Sequence, residues 1–353
     1  MLHDVRLRLV LGSAVAVVLA SLIGGCSNGL RSVAALPRSQ GDGGQSHGGG
    51  QFDGITPSLT STEFFAGITP GGAPRGITLG FGGMLFTERN ADKIARISQN
   101  GNVKEFSGLP SGTAPNNIVQ GSDGNYWFTE GPDQIGRMTG RGKFKQFVVG
   151  NEQYGPFDIT AGSDNNLWFT FRSPSFNAIG RITTAGAVTL FTSGLSQSDP
   201  AVHDITNGPD GNVWFTEEFG NRIGRITPSG VISEFSVGIS PNAGLVDITS
   251  GPDGNLWFTE NAIDRVGRIT PSGVVTEFFS GITPGSAPGS ICSARGSLWF
   301  TEIGAGRIAR VTTSGTVTEF PVPAALSADI AVGPLPHDLW ITDFNGNGIV
   351  RVR

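Results

Sequence analysis

"LVDITSGPDGNLWFTENAIDRVGRITPSGVVTEF" (residues 245–278) determines the fold, because it contains four short β-like runs joined by turn-forming letters. The runs "LVDIT" (245–249), "NLWFTE" (255–260), "RVGRIT" (265–270) and "VVTEF" (274–278) are rich in β-branched and aromatic residues. The letters between them, "SGPDG", "NAID" and "PSG", supply the Gly, Pro, Asn and Asp that tight turns need. The stretch is therefore predicted to form one four-stranded sheet.

The same pattern recurs along the chain. All six tryptophans occupy the second position of a "LWFTE"-like core, 41 to 46 residues apart. The copies are "MLFTE" (84–88), "YWFTE" (126–130), "LWFTF" (167–171), "VWFTE" (213–217), "LWFTE" (256–260), "LWFTE" (298–302) and "LWITD" (339–343). A four-stranded sheet at this period is the signature of a propeller blade. The sequence therefore predicts an all-β fold, a seven-bladed β-propeller with four-stranded blades.

The two ends of the repeat region complement each other. The last repeat ends at "GIVRVR" (348–353), its third strand, and lacks a fourth. Residues 61–64, "STEF", match the fourth-strand pattern "VTEF" and precede the first full repeat. We therefore expect residues 54–353 to form one ring, closed by the N-terminal strand in the last blade so that no edge stays open.

The N-terminal residues are predicted to be a targeting signal and a tether rather than part of the folded domain. Residues 1–26 contain two arginines, a short apolar stretch and "LIGGC", and resemble a bacterial lipoprotein signal with Cys26 as the lipidated residue. An ordinary cleaved secretory signal is the alternative. Residues 27–53 are rich in Gly, Ser and Gln and indicate a flexible tether. Both alternatives predict export, and the first predicts a lipoprotein anchored in the membrane of the cell envelope.

Composition narrows the range of partners. The net charge of −5 and the pI near 5.4 give little support to nucleic-acid binding. With Cys26 carrying lipid, Cys292 has no disulfide partner and is expected to be a small buried residue. We expect a monomer that holds a small-molecule ligand at the mouth of the propeller channel.

The tandem pattern "GPDGNLWFTE…IGRIT…G…TEF" resembles the streptogramin B lyase (virginiamycin B lyase) family of seven-bladed propellers, over residues 54–353. The resemblance implies a magnesium-dependent carbon–oxygen lyase that opens the ester ring of a cyclic peptide antibiotic by elimination. It also implies a histidine base, with glutamates and a second histidine that position the metal ion and the substrate.

The repeats allow an internal comparison, since a residue that recurs in its slot is expected to be structural. Recurring aspartates in the first strands, and the arginines of "GRIT", are therefore assigned to interblade or turn contacts and to outer strands. The aspartates are Asp158, Asp204, Asp247 and Asp329, and the arginines are Arg181, Arg225 and Arg268.

Two residues are unique to their blade. His203 begins a first strand, in the slot that holds Arg75, Asn116, Phe157, Val246, Gly289 and Ala328 elsewhere. Glu218 follows a second strand, in the slot of Arg89, Gly131, Arg172, Asn261, Ile303 and Phe344. Antiparallel pairing places both slots at the same end of the channel. By the resemblance, His203 matches the catalytic base and Glu218 matches the glutamate that binds magnesium.

Two other positions depart from the family pattern. Phe157 stands where the family has its second histidine, and Ala201 stands where it has a metal-associated glutamate. Three interpretations therefore remain open. The protein is a lyase that uses His203 as base and a cation near Glu218, or a surface-anchored propeller that binds a ligand without turnover, or a structural lipoprotein. The alternative to a functional role for His203 and Glu218 is that they are only a polar pair at the channel mouth.

Overall fold

Each repeat forms one antiparallel sheet, and the turn between its third and fourth strands shows why the sequence requires this. In the fifth blade, Gly273 has φ of 92° and donates its N–H to the Thr270 carbonyl at 2.8 Å. The Thr270 hydroxyl accepts the Val274 N–H at 3.0 Å. A Cβ on Gly273 would lie 2.4 Å from the ring of Phe235 in the preceding blade. The glycine of "PSG" is therefore required by both the turn and the interblade packing.

The computed structural model describes residues 59–150, 155–172, 177–196, 201–322, 328–335 and 337–353, which belong to one compact unit. The expected signal (1–26), its Cys26 and the tether (27–53) lie outside the described residues. None of the described residues belongs to a helix that is long and apolar enough to cross a membrane.

The described strands form seven four-stranded sheets, which confirms the predicted propeller. The first strand is β1 (Ser61–Phe64), and the first three blades follow it. Their strands are β2 (Pro74–Gly80), β3 (Gly83–Glu88), β4 (Lys93–Ile97), β5 (Val103–Phe106), β6 (Ile118–Gln120), β7 (Tyr126–Glu130), β8 (Gln134–Met138), β9 (Phe144–Val148), β10 (Pro156–Ala161), β11 (Leu167–Phe171), β12 (Ile179–Ile182) and β13 (Val188–Phe191).

Blades 4 to 7 continue in the same order, with the innermost strand first. Their strands are β14 (Val202–Asn207), β15 (Val213–Glu217), β16 (Arg222–Ile226), β17 (Ile232–Phe235), β18 (Leu245–Ser250), β19 (Leu256–Glu260), β20 (Arg265–Ile269), β21 (Val275–Phe278), β22 (Pro288–Ala294), β23 (Ser297–Glu302), β24 (Arg307–Val311), β25 (Val317–Pro321), β26 (Ile330–Val332), β27 (Leu339–Asp343) and β28 (Gly348–Val352). Two single-turn 3₁₀ segments, Arg89–Ala91 and Asn261–Ile263, follow the second strands of blades 1 and 5.

The ring is closed by the N-terminal strand, as predicted. Strand β1 pairs antiparallel with β28, with Ser61 opposite Val352 and Phe64 opposite Ile349. The Phe64 ring stacks on the Trp340 ring at 5.7 Å between centroids. The seventh blade therefore contains strands from both ends of the described chain.

The hydrophobic core lies between blades rather than within them. Trp168 of blade 3, for example, is fully buried with Val202 and Phe215 of blade 4. This burial on both faces explains the continuous apolar run of each second strand. Each tryptophan also stacks on the fourth-strand phenylalanine of its own blade, with ring centroids 5.1 to 5.7 Å apart.

The "GRIT" arginines lie in the third strands, in agreement with their assignment to outer strands, and their guanidiniums lie over the Trp–Phe stacks. Arg181 and Arg225 are 5.4 and 5.5 Å from the ring centroids of their tryptophans, Trp168 and Trp214. Each guanidinium then donates a hydrogen bond to a carbonyl of the next blade, at 2.9 Å to Pro228 for Arg181. These arginines therefore join blades.

The threonine of "WFTE" fixes the start of each innermost strand. In blade 4, the Thr216 hydroxyl accepts the Asp204 N–H at 3.0 Å and donates to the Val246 carbonyl of blade 5 at 2.9 Å. Five further threonines make the equivalent pair of bonds, namely Thr87, Thr129, Thr170, Thr259 and Thr342. The residues at the channel mouth are thereby held in register from blade to blade.

The glutamate of "WFTE" forms a buried acidic pair with the glutamate of the fourth strand. Glu260 is fully buried beside Glu277, whose carboxylate lies 2.5 Å from Arg265. Burial, and then the charge of Glu277, raises the pKa of Glu260 to about 8. The arrangement recurs in other blades, with the pKa raised to about 7 or 8 for Glu88, Glu217 and Glu302. These glutamates belong to the scaffold.

Candidate functional site

The innermost strands surround a channel cavity of about 720 Å³. Its lining includes two successive layers at the mouth end, each with one residue from every blade. We call the layer at the mouth the first ring, which consists of Arg75, Asn116, Phe157, His203, Val246, Gly289 and Ala328. The layer below it is the second ring, which consists of Gly76, Asn117, Asp158, Asp204, Asp247, Ser290 and Asp329.

The second-ring aspartates join neighbouring blades. The Asp158 carboxylate accepts the Ile205 N–H of blade 4 at 2.9 Å, and Asp204 accepts the Ile248 N–H of blade 5 at 2.9 Å. Asp329 of blade 7 accepts the Ile77 N–H of blade 1, also at 2.9 Å. The prediction that these residues make interblade hydrogen bonds is therefore confirmed.

Asp204 carries the most perturbed carboxyl group of the second ring. Its side chain lies between Asp158 and Asp247 and is hydrogen-bonded to both. Burial raises its pKa well above the usual range, and the charges of the two neighbours raise it further. Burial also raises the pKa of Asp329, to about 7, with a further contribution from Asp247. Because adjacent carboxylates cannot both be charged at low cost, the folded propeller disfavours the charged form of Asp204.

His203 enters the first ring at the start of β14. Its ring lies 4.7 Å from that of Phe157 between centroids, and its Nδ1 has no hydrogen-bond partner among the described residues. Burial lowers its pKa to about 3, the charge of Arg172 lowers it further, and a hydrogen bond with the Val246 backbone opposes the shift. The imidazole is therefore neutral at physiological pH.

Glu218 lies at the same end of blade 4 as His203, as expected from antiparallel pairing. Its N–H donates to the Ala201 carbonyl at 3.0 Å, which fixes it beside the start of β14. Its carboxylate, however, forms an ion pair with Arg172 of blade 3, at 2.6 Å between Oε2 and Nη2. The two predicted site residues therefore share one rim, and the ion-pair partner of Glu218 is Arg172.

An arginine cluster completes this side of the mouth, and the sequence interpretation missed it. The Cζ atoms of Arg75 and Arg172 lie 5.3 and 5.0 Å from the ring centroid of Phe157. Arg89 donates to the Asn116 side chain at 2.9 Å. The three arginines occupy the same two slots as His203 and Glu218, in blades 1 and 3. The internal comparison of the repeats could have identified these arginines, because charged or titratable residues occupy the two slots in three blades rather than in one.

The opposite side of the mouth is apolar. Blades 5 to 7 line it with Val246, Ile303, Ala328 and Phe344, together with Gly289, which has no side chain. The channel mouth therefore has a cationic and aromatic half on blades 1 to 4 and an aliphatic and aromatic half on blades 5 to 7.

The residues present do not fit the magnesium ion that the resemblance implies. Magnesium prefers several oxygen ligands, but Phe157 and Ala201 supply no side-chain oxygen, and the Glu218 carboxylate is neutralised by Arg172. Across the described ranges, no three His, Cys, Asp or Glu side chains are grouped so that they could hold a metal ion. Magnesium at Glu218 remains a prediction without a supporting donor set.

Cys292 is buried in the wall of the channel, as expected. Burial raises the pKa of its thiol, and the charges of Asp329 and Asp247 raise it further. A nucleophilic cysteine needs a lowered pKa, so the Cys292 thiol contributes to packing and does not act as a nucleophile.

The chain matches the model of the virginiamycin B lyase family over residues 53–173 and 133–353. Similar solved structures include a streptogramin B lyase, at 32% identity over 84% of this chain and 97% of that chain, with a TM-score of 0.76. Virginiamycin B lyase from Staphylococcus aureus has 33% identity over 84% and 98% of the two chains, with a TM-score of 0.75. A catalytically inactive histidine-to-alanine variant of that enzyme, solved with quinupristin, has 33% identity over 84% and 99%, with a TM-score of 0.75. No curated protein sequence matches the chain.

Proposed function

The chain belongs to the virginiamycin B lyase family, and from this membership we propose that its propeller binds a small-molecule or cyclic-peptide ligand at the first ring without cleaving it. The observation that carries the proposal is the ion pair between Arg172 and Glu218. It engages the one metal-associated carboxylate of the family pattern that this chain retains, and it places a cation near His203.

The electrostatics of the mouth disfavour proton abstraction. A general base works best when its pKa is near the working pH. The pKa of His203 is lowered to about 3 by burial and by Arg172, so its imidazole accepts a proton weakly at neutral pH. Arg75 lowers it as well, because a protonated ring would face a second cation.

The same residues suit recognition. Phe157 and His203 present two rings 4.7 Å apart, and Ile303 and Phe344 continue the apolar surface across the mouth. Ligand pockets commonly combine such apolar and aromatic walls with a few polar groups, and a cavity of about 720 Å³ suits a drug-sized ligand.

Carbon–oxygen lyase activity is the second candidate, because His203 occupies the position of the family's base. Its imidazole lines the cavity and is neutral, so it would accept a proton from a carbon acid held against the first ring. No step through a metal ion is proposed, since the donor set does not fit one.

We further propose that the protein is exported and anchored through lipid on Cys26. This rests on the lipobox "LIGGC" alone. Replacing Cys26 with Ala should move the protein from the membrane fraction to the soluble fraction. A wild-type protein that is entirely soluble and carries no lipid would refute the anchor.

Quinupristin, the ligand of the related structure, provides the test of function. We would titrate it into the full chain by calorimetry and analyse the mixture by chromatography with fragmentation mass spectrometry. Fragmentation is essential because elimination breaks one C–O bond without a change in mass. We expect saturable binding with no opened product, weakened about 10-fold or more in Phe157→Ala. His337→Ala, at an exposed histidine outside the first ring, serves as the control.

Three outcomes are informative. Binding without opening supports the binding propeller. Opened product that disappears in His203→Ala would replace it with the lyase. Absence of both binding and opening would overturn the proposed function for this class of ligand.

A further inference from the structure

Arg75 is the least compensated charge at the channel mouth. Its side chain lines the cavity, and its guanidinium donates no hydrogen bond to any described residue. Burial lowers its pKa to about 10, and the neighbouring charges of Arg89 and Arg172 lower it further. A half-buried guanidinium that faces a cavity without an ion-pair partner is a favourable site for an anion.

The surroundings do not supply that anion. Three guanidiniums converge on Phe157 and Asn116, and Glu218, the one carboxylate among them, is held by Arg172. The nearest carboxyls below are Asp158 and Asp329, which offset part of the Arg75 charge but form no ion pair with it. Burial raises the pKa of both carboxyls. The cationic half therefore carries an excess of positive charge.

The other half of the mouth could not accept a fully polar anion, because Val246, Ile303 and Phe344 line it. A ligand that fills the mouth must satisfy both halves at once. One end of it meets Arg75 and Arg172, and the other end lies on the aliphatic and aromatic wall.

We propose that the channel mouth is a site for an amphipathic organic anion, a small ligand with one carboxylate or phosphate group on an apolar body. The proposal rests on the proposed ligand-binding function and specifies its ligand class. The planar guanidinium of Arg75 donates hydrogen bonds to the anionic oxygens. Arg172, which also lies over the Phe157 ring, flanks the same oxygens. The apolar body covers Ile303 and Phe344.

The test compares three probes that share one body, namely 4-phenylbutyrate, 4-phenylbutyl phosphate and neutral 4-phenylbutanol. Each is titrated calorimetrically into the full chain and into Arg75→Gln, Arg75→Lys and Arg96→Gln. Arg96 is the matched control, because its side chain bonds the Phe81 carbonyl in blade 1 and is not part of the cavity lining. Ile303→Ser tests the apolar half.

We expect the anions to bind and 4-phenylbutanol to bind at least about 10-fold more weakly. Arg75→Gln should weaken the anions about 10-fold or more, Arg75→Lys less, and Arg96→Gln not at all. Added salt should weaken them too. The tighter of the two anions identifies the head group.

Two results would overturn the proposal. The first is that 4-phenylbutyrate binds Arg75→Gln and Arg96→Gln with equal affinity. The second is that 4-phenylbutanol binds the wild type as tightly as the anions do. Quinupristin separates the two proposals. If quinupristin binds and neither anion does, the anion site is wrong and the binding function stands, whereas failure of all probes removes both.

Discussion

Arg172 and Glu218 form an ion pair across two blades, with Nη2 and Oε2 2.6 Å apart. The pair connects the ends of two second strands, and the Arg172 guanidinium simultaneously lies over Phe157. The pair therefore reduces the free negative charge at the mouth, and its arginine adds to the effect of burial in lowering the pKa of His203.

The first prediction concerns magnesium. Because Glu218 is already paired, the melting temperature of the full chain should be the same in magnesium and in chelator. Differential scanning fluorimetry measures it, with Arg172→Gln to free the carboxylate and Arg181→Gln as a control on the same blade. A magnesium-dependent rise in the wild-type melting temperature would contradict the prediction.

The second prediction concerns the protonation of His203. Burial and Arg172 hold its pKa near 3, so its ring should stay neutral from pH 5 to 8 in nitrogen-detected NMR. Arg172→Gln removes a cation beside the ring and should raise that pKa. A wild-type His203 signal that titrates between pH 5 and 8 would show that the first ring is more open or less positive than described.

The third prediction is that the propeller becomes less stable as pH rises from about 4.5 to about 8. The pKa values of Glu217, Glu260 and Glu302 are raised to about 7, 8 and 8 in the folded state. The folded state then binds more protons than the unfolded state in this window, so the free energy of unfolding falls with rising pH. The pKa values of Glu277 and Glu319 are lowered in the folded state, so these two groups change the stability only below this pH window.

Melting temperatures at pH 5 and pH 8 check this, with the double variant Glu260→Gln, Glu302→Gln as comparison. The wild type should melt lower at pH 8, and the variant should show a smaller difference. A wild-type melting temperature that stays constant or rises over this range would refute the role of the buried acidic pairs.

The fourth prediction concerns the second ring. Asp204→Asn keeps an acceptor for the Ile248 N–H and supplies amide hydrogens for Asp158 and Asp247, so stability at pH 7 should be retained or increased. Asp204→Ala removes that acceptor and should cost about 1–3 kcal/mol, as measured by urea unfolding. Equal stability of the two variants would mean that the Asp204 side chain of the second ring does not join the blades.

The fifth prediction concerns closure. Phe64→Ala removes the stack on Trp340 and should cost about 2 kcal/mol, roughly half the value for a fully buried phenylalanine. Phe65→Ala is the control, since the Phe65 side chain is 51% exposed. Deletion of residues 54–66 should unfold or aggregate the domain, because it exposes the edge of β28. A deletion variant that melts like the intact protein would contradict closure.

The fold was predictable from the sequence because the blades repeat the same strand, turn and packing residues. The tryptophan slot, the turn glycine and the "TEF" strand each recur, and the missing fourth strand of the last repeat identified residues 61–64 as its substitute. The placement of His203 and Glu218 on one rim followed from antiparallel pairing within a single blade, which is a local relationship.

The partners of these residues were not predictable in the same way. Glu218 binds a residue of another blade, and Arg75 contacts Phe157 across the intervening blade 2. Such contacts depend on the curvature of the ring and on side-chain rotamers, which no repeat period encodes. Residue type was also misleading, because a glutamate beside a histidine suggests a metal site until the neighbouring guanidinium is known.

The pairing of β1 with β28 has a consequence for how the protein is made. The ribosome delivers Ser61 before, and Val352 after, the other strands of the ring, so the first strand has no sheet partner until all the intervening blades have been synthesised. Contacts between such distant positions form late and slowly. Only a chain translated through β28 can pair β1 and stack Phe64 on Trp340, so closure of the ring separates chains that contain all seven blades from shorter ones.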